Sequence, residues 1–413
     1  MNQPMTKILP VVFGFDIADY AFARIFHENC GVRSLVVSEI RRGPINDSSI
    51  FDTMMVPRGT LGHEESFIAL LHQIERAHPD EQLILCVNSD EGVEYAVKHR
   101  AELETRWFLP YASEEAVRAA NSKALMAKTL TSLGLPTVPC VSVDLTDPES
   151  WMSTIEAVRF PVVVKPEDGS LLNLYLHKGL RKVSLLSTRD EALALFAKLG
   201  ANEVPIRLLV QELIPGDDTT QWVVNGYVDA SGRVTAAGSG RVLLGLHVPA
   251  LIGNAGMILL ERNEPLIDAG KQIVRSVGLT GFFSLDVKID PRDGTEYWLD
   301  LNPRIGRGHY YLKVGGIDLA AAMLADMRGE DIAYQTNTRD GIYTVIPMAL
   351  ASKRYLRDPQ LRQRVRAAKK NTVNPLAYSQ DRNVRRTAYR ALSYVNQYKQ
   401  MRTYYPELTD SGF

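Results

Sequence analysis

The sequence has few cysteines and no pattern that would pair them or use them to bind zinc. Its three cysteines, Cys30, Cys86 and Cys140, are widely spaced, odd in number and form no CxxC pair. This spacing argues against a disulfide framework and a thiolate zinc site, and it favours a reducing, cytoplasmic environment. The eight histidines show no HExxH spacing, which argues against a zinc hydrolase.

Long apolar runs and an excess of one charge are also missing. The apolar run 8–15 is followed at once by Asp16, so it is too short for a membrane span or a signal-peptide core. The formal net charge of -1 over 413 residues gives no general attraction to nucleic acid, and we expect no nucleic-acid partner. With 45% hydrophobic residues, the chain is expected to fold into two or three compact units.

The first 115 residues are predicted to form a parallel α/β domain. Apolar runs at 8–14, 34–38 and 82–87 read as buried strands, and helical stretches lie between them. Gly14 after the first strand suggests a dinucleotide site, but Asp16 stands where a second glycine would approach the phosphates. We therefore expect the strand ends, with Asp16, Asn88 and Asp90, to line a polar substrate crevice.

Three further segments follow along the chain. Residues 116–215 are predicted to form a small lid and nucleotide subdomain, and residues 216–335 a catalytic subdomain with mostly antiparallel sheet. Residues 336–413 become helical and strongly basic. The fold class expected from these patterns is mixed α/β and α+β.

The hairpin predicted over 282–301 carries a candidate metal site. Asp300 and Asn302 project from the same face of its second strand, and Asp286 on the first strand can lie beside them. Such oxygen ligands suit Mg²⁺, with Mn²⁺ as an alternative, and leave positions for phosphate oxygens. The other interpretation is a set of polar residues on the solvent face of a hairpin.

Two arginines follow these residues directly. Arg304 and Arg307 lie in the segment Asn-Pro-Arg-Ile-Gly-Arg-Gly, and arginine forks suit carboxylate and phosphoryl oxygens. They would then sit beside a metal-bound phosphate. A purely structural salt-bridge network with the aspartates is the alternative.

A second group of residues is a candidate nucleotide site. Lys165 ends an apolar strand, where an ammonium needs an anionic partner, and Lys123 offers a second cation. The loop 167–170 after Lys165 could close over phosphates through its backbone N–H groups and the Ser170 hydroxyl. Gln211 and Glu212 are polar residues at the end of another apolar strand, where backbone groups could bond an adenine and a carboxylate a ribose.

The order of these motifs resembles the ATP-grasp superfamily, in which a carboxylate attacks the γ-phosphate of ATP and an amine captures the acyl phosphate. The resemblance covers roughly residues 8–330. It implies an ATP-dependent carboxylate–amine ligase that uses ATP and Mg²⁺. By this resemblance Lys123 and Lys165 contact phosphates, Gln211 to Leu213 frame the adenine with Glu212 near the ribose, and Asp218 joins the nucleotide-binding set.

Within the superfamily, the chain is similar to the D-aspartate ligases of Gram-positive cell-wall synthesis. Four segments carry this similarity: 13–24, 214–218, 290–294 and 302–307. It implies that D-aspartate is joined through its β-carboxylate to a lysine side-chain amine of a peptidoglycan precursor. By this similarity Arg304, Arg307 and Arg241 bind the aspartate or the acyl phosphate. In two positions the chain departs from the pattern, with Asp300 in place of a glutamate and Trp222 in place of an arginine.

Alternatives remain at this point. The chain could be an ATP-grasp ligase for another acid and amine, or a regulatory protein that binds ATP without turnover. The basic extension after residue 352 could be a solvated helical cap, or it could contact an anionic partner such as a phosphate-bearing precursor or a membrane surface.

Overall fold

The structure is a computed structural model that describes residues 7–167, 171–249, 251–307 and 309–412. Its first part is the predicted parallel α/β unit, with five strands in the order β3-β2-β1-β4-β5. The elements of this part are β1 (Ile8–Phe13), α1 (Ile17–Cys30), β2 (Ser34–Ser38), β3 (Phe51–Met55), α2 (Glu64–Ala77), β4 (Gln82–Val87), α3 (Asp90–Lys98), α4 (Arg100–Leu103), β5 (Trp107–Phe108), α5 (Glu114–Asn121) and α6 (Lys123–Ser132).

A four-stranded antiparallel sheet follows in the order β6-β9-β7-β8, and we call this unit the lid. Its elements are β6 (Cys140–Asp144), α7 (Trp151–Ile155), β7 (Val162–Pro166), α8 (Leu172–Tyr175), β8 (Ser184–Leu186), α9 (Arg189–Ala201) and β9 (Arg207–Glu212). A separate apolar cluster lies between this sheet and α7 and α9, with Trp151 against Phe196. The lid thus has a hydrophobic core of its own.

The third sheet has seven strands in the order β14-β13-β10-β11-β12-β15-β16. Neighbouring strands are antiparallel except for β15 and β16. The elements are β10 (Gln221–Val228), β11 (Val234–Leu246), β12 (Asn254–Leu260), α10 (Glu264–Val277), β13 (Gly281–Ile289), β14 (Glu296–Asn302), α11 (His309–Val314), α12 (Leu319–Arg328), β15 (Gly341–Thr344), α13 (Pro359–Ala368), β16 (Thr372–Val373) and α14 (Val384–Tyr404).

The predicted class of mixed α/β and α+β is confirmed by these three sheets. The predicted segment bounds stay a prediction. Helices α5 and α6 precede the lid sheet and pack against the third sheet, where Val117 and Met126 share a core with Trp298. The basic extension is not only helical, because β15 and β16 both join the third sheet.

The first and third sheets meet through apolar side chains and through helix α1. Phe22 of α1 packs edge-to-face on Phe282 of β13, and α11 and α12 share the same cluster. These contacts fix the carboxyl ends of β1 and β4 opposite the β13–β14 hairpin. None of the helices in the described ranges is both long and apolar enough to span a bilayer.

Candidate active site

The β13–β14 hairpin brings the three predicted metal ligands together on one face. Asp286 lies opposite Asp300, and Ser284 lies opposite Asn302. Paired residues of an antiparallel ladder point to the same side, and Asn302 follows Asp300 by one strand period. Two carboxylates and one amide therefore project from adjacent positions of the sheet.

A bulge in the hairpin turns a backbone carbonyl toward this face. The pairing shifts between Asp286 and Val287, so that Leu299 is the extra residue on β14. The Leu299 carbonyl accepts a hydrogen bond of 3.4 Å from the Lys123 ammonium at the start of α6. Bulges of this kind redirect groups beside functional sites. The predicted alternation of the strand did not reveal this bulge.

Lys123 lies at the hairpin, and the charge of Lys165 acts on it and on Asp286, while their contact with phosphates stays a prediction. The Lys123 ammonium forms an ion pair with Asp300. Burial lowers the Lys123 pKa to about 7, and the charge of Lys165 acts in the same direction while Asp286 opposes it. Burial also lowers the pKa of Lys165, at the end of β7. Two ammonium groups that are both desolvated and that act on the same aspartate are suited to receive an anion.

Four cationic side chains act on the pKa of the Asp286 carboxylate. Burial raises its pKa, while the charges of Lys123, Arg304, Lys182 and Lys165 pull it down. In the described residues, no three or more His, Cys, Asp or Glu side chains are arranged to hold a metal ion. The donor set at the hairpin is thus two carboxylates and an amide, an all-oxygen set whose chemistry fits Mg²⁺.

Lys182 is a cation of this site that the sequence did not indicate. It lies in the lid just before β8, and its ammonium donates a hydrogen bond of 2.8 Å to the Ile252 carbonyl of the third-sheet domain. Burial lowers its pKa, and Arg307 and Arg304 act in the same direction. Lys182 does not follow a predicted strand and belongs to no sequence motif. Its place in the site is therefore visible only in the tertiary structure.

Arg304 and Arg307 join the hairpin to the first domain. Arg304 forms a bidentate pair with Asp90, at 2.5 and 3.1 Å, and donates to the Asn302 amide oxygen at 3.3 Å. Arg307 lies 2.9 Å from the Asp16 carboxylate. Asp16 and Asp90 follow β1 and β4, at the edge where the sequence predicted a polar crevice.

Asn88, the third residue of that predicted crevice, holds a buried carboxylate that sequence analysis missed. Its side-chain amide donates at 2.6 Å to Asp19, which also accepts from the Asp16 N–H at 2.8 Å. Burial raises the pKa of Asp19 well above its usual range, and Asp16 adds to this rise. Gly14, with a φ of 145°, lets the chain pass Asp19, since a Cβ there would collide with the carboxylate. The i to i+3 spacing of Asp16 and Asp19 in a capping box was the available sequence signal.

The predicted adenine frame lies at the end of β9 in the lid. Gln211 pairs with Cys140 and Val163 of the neighbouring strands. The N–H groups of Glu212 and Leu213 donate to the carbonyls of Pro139 and Pro161, at 2.9 and 3.0 Å. The Glu212 carboxylate accepts from the Arg159 N–H at 2.9 Å. The contacts of these residues with adenine or ribose stay a prediction. Ser170, the predicted phosphate-binding hydroxyl, lies outside the described residues.

Two predicted site residues lie apart from the hairpin cluster. The buried Asp218 carboxylate accepts from the Gly245 N–H at 2.8 Å and pairs with His247 at 2.9 Å, so its partners are internal. Arg241 lies opposite Trp222, whereas Asp286 lies opposite Val223. Because neighbouring strand residues alternate, Arg241 projects from the opposite face of the sheet, where it donates to the Thr219 carbonyl. The structure thus gives both residues structural contacts.

Comparison with known proteins identifies relatives of this arrangement. No protein-family model matches the chain. A D-aspartate ligase from Enterococcus faecium (strain Aus0004) is 25% identical over 334 residues, which cover 78% of this chain and 76% of that protein.

Solved structures share the fold. An L-amino acid ligase from Bacillus licheniformis matches with a TM-score of 0.53 and 16% identity, over 79% of this chain and 74% of that one. A carboxyaminoimidazole ribonucleotide synthase from Aspergillus clavatus, complexed with ATP, matches with a TM-score of 0.57 and 12% identity, over 82% and 81% of the two chains. The expected resemblance to ATP-grasp carboxylate–amine ligases is confirmed, and the chain has the ATP-grasp fold.

Proposed function

We propose that this ATP-grasp ligase activates D-aspartate with ATP and joins its β-carboxylate to a lysine side-chain amine of a peptidoglycan precursor. The similarity to a D-aspartate ligase along three quarters of both chains supports this substrate. The observation that carries the proposal is the meeting of the Asp286–Asp300 pair with arginines and lysines from all three parts of the chain.

The charge arrangement beside the hairpin suits an amino acid as the activated acid. Arg304 and Arg307 are each paired with a carboxylate, Asp90 and Asp16. A zwitterionic substrate can replace these two ion pairs. Its carboxylates would then bind the guanidinium groups, and its ammonium would bind the aspartates. A dicarboxylic amino acid would use both arginines.

The reaction requires two anions to approach in line. A carboxylate oxygen attacks the γ-phosphorus of ATP, the bond to the β,γ-bridging oxygen breaks, and ADP leaves. The amine then attacks the acyl carbon, loses a proton, and phosphate departs with the former carboxylate oxygen. Lys123, Lys165 and Lys182 would neutralise the phosphates, and Arg304 and Arg307 would hold the acid.

Asp286, Asp300 and Asn302 would hold Mg²⁺, which when bound supplies positive charge to the phosphate oxygens. In the structure Asp300 has Lys123 as its partner. Lys123 would therefore shift from this carboxylate to a phosphate when nucleotide and metal are bound. We propose that this chemistry takes place in the cytoplasm, where ATP is present.

The test is ADP release from MgATP with D-aspartate, L-aspartate, D-glutamate and D-alanine, each with and without a lysine-containing acceptor peptide. We expect release that requires D-aspartate and acceptor and falls at least 100-fold in Asp286→Asn. The matched control is Asp293→Asn, an exposed carboxylate in the turn of the same hairpin. ADP release with another acid would support a ligase but contradict D-aspartate as its substrate. Tight ATP binding without release in any combination would reject catalysis.

A further inference from the structure

Helix α14 turns its more apolar side outward. Val384, Leu392 and Val395 are 85%, 69% and 67% exposed, and the exposed Ala388 lies between them. These positions fall on one face of a helix. The buried residues of α14 are instead Arg386 and Met401. This apolar row, which we call the outer face of α14, has the pattern of a helix with a missing partner.

Positive charge flanks the outer face at both ends. Arg385 is exposed near the start of α14, where it pairs with Asp47 at 3.1 Å, and Lys399 and Arg402 are exposed near the end of the helix. The helix contains no acidic residue. Residues 351–413 hold 14 basic and four acidic side chains, although the whole chain has a net charge of -1. The positive charge is therefore concentrated in the segment that carries the outer face.

Contacts at both ends fix the orientation of this helix. Arg386 donates to the Pro44 and Asn46 carbonyls at 3.1 and 2.8 Å and lies 3.2 Å from the buried Asp381 carboxylate. Just beyond the helix, the Tyr405 ring stacks on His247 at 3.5 Å between centroids. The helix is thus held to the first domain at its start and to the third sheet at its end. The outer face stays turned away from the protein.

We propose that the outer face of α14 docks on an anionic phospholipid surface. An apolar row with basic ends suits the boundary between headgroups and acyl chains, because long cationic side chains reach back to the phosphates. A helix of 21 residues is about 31 Å long and would lie in the plane of the surface. This inference is independent of which acid the ligase activates.

A second copy of the chain fits the same face less well. Twofold pairing through α14 would bring Arg385, Lys399 and Arg402 of both copies against each other, with no acidic residue on the helix to compensate. Like charges at an apolar contact are costly because they lose water. Charge complementarity therefore favours the lipid surface.

The experiment is co-sedimentation of the full chain with vesicles of phosphatidylcholine alone and of phosphatidylcholine with 30 mol% phosphatidylglycerol. We expect binding to the anionic vesicles that decreases with salt. Each basic residue near the surface changes the affinity for anionic vesicles by about fivefold. The affinity should therefore fall on the order of 100-fold in the triple variant Arg385→Ser, Lys399→Ser and Arg402→Ser. Replacing Val384, Leu392 and Val395 with serine should abolish retention at high salt.

Controls separate the outer face from general surface effects. Arg76, Lys128 and Lys198 are exposed basic residues elsewhere, and their serine variants should bind vesicles like the parent. Circular dichroism and the melting temperature should stay unchanged in the α14 variants, because the replaced side chains are exposed. Equal binding by all variants, no vesicle binding, or a dimer that the valine and leucine replacements dissociate would overturn the proposal.

Discussion

At the scale of single residues, burial sets the charge of the lysines that face the hairpin. Burial lowers the Lys123 pKa to about 7, and neighbouring Lys165 contributes. In the proposed binding mode, the ammonium is charged and can pair with a phosphate below this pH, whereas above it the free protein must take up a proton when nucleotide binds. ATP affinity would therefore be linked to pH through this residue.

We predict that MgATP binds the protein about tenfold more weakly at pH 8.5 than at pH 7, because the proton must be supplied on binding. Isothermal titration calorimetry in buffers of different ionisation enthalpy measures both the affinity and the proton uptake. In Lys123→Met the pH dependence should vanish. Lys128→Met, an exposed lysine of the same helix, should keep it. Unchanged proton uptake in Lys123→Met would contradict this explanation.

His309 positions the loop that carries the two arginines. Its Nδ1 accepts from the Gly306 N–H at 2.7 Å, and its Nε2 donates to the Phe283 carbonyl at 3.1 Å. These two bonds require the neutral ring with its proton on Nε2. Burial lowers the His309 pKa to about 4.

Because the unfolded chain protonates this histidine near pH 6.5 and the folded chain near pH 4, stability falls as the pH drops through that range. At pH 4.5 the residue should cost about 2–3 kcal/mol. Urea unfolding at pH 7 and pH 4.5 measures the loss. In His309→Gln this loss should be smaller by that amount, whereas His72→Gln on the surface of α2 should resemble the parent. An equal loss in both variants would rule out His309 as its source.

Single residues also differ in how far the sequence reveals them. Asp286, Asp300 and Asn302 were predicted correctly to share a face, because strand alternation is encoded locally. Asp19 looked like an ordinary helix residue, since its burial depends on Gly14 and Asn88. Asp218 and Arg241 were predicted by resemblance alone, and their partners His247 and Thr219 lie 29 and 22 residues away in the sequence.

At the scale of elements, the lid contacts the third-sheet domain through a side chain that precedes β8. Lys182 donates to the Ile252 carbonyl of the third-sheet domain. The positive charge of Lys182 lowers the pKa of Asp286, as the charges of Lys123 and Lys165 also do. The lid thus contributes two cations, one at the end of β7 and one before β8.

We predict that Lys182→Met lowers kcat/KM for ATP by roughly 10- to 150-fold, since a charged hydrogen bond to phosphate is worth about 1.5–3 kcal/mol. Steady-state kinetics with ATP varied at saturating acid and amine measure this change. Arg181→Met is the matched control, because the neighbouring arginine is exposed. A loss of equal size in Arg181→Met would assign the effect to the loop instead of the ammonium.

Elements with a clear period were predictable, and those fixed by tertiary contacts were not. Apolar runs located β1, β2 and β4, and the turn at 291–294 located the hairpin. The extension after residue 352 was predicted as basic helices, yet Thr372 and Val373 extend the third sheet beside β15. A strand of two residues at the edge of a sheet is too short to show an alternating hydrophobic pattern in the sequence.

At the scale of the whole molecule, the candidate site exists only where three parts of the chain meet. The first domain supplies Asp16 and Asp90, the lid supplies Lys165 and Lys182, and the third-sheet domain supplies the hairpin. The order of motifs predicted this meeting through the ATP-grasp resemblance. Strand patterns alone could not predict it, since they define single sheets and leave the packing of one sheet on another open.

The central claim is that the carboxylate of the acid attacks ATP, so that one of its oxygens leaves with the phosphate. The most direct measurement uses D-aspartate labelled with ¹⁸O in its β-carboxylate, MgATP and the acceptor peptide, followed by mass spectrometry of the products. We predict one ¹⁸O atom in each phosphate released and one retained in the new amide. Unlabelled phosphate would contradict the account, because it would mean that water, and not the carboxylate, receives the phosphoryl group.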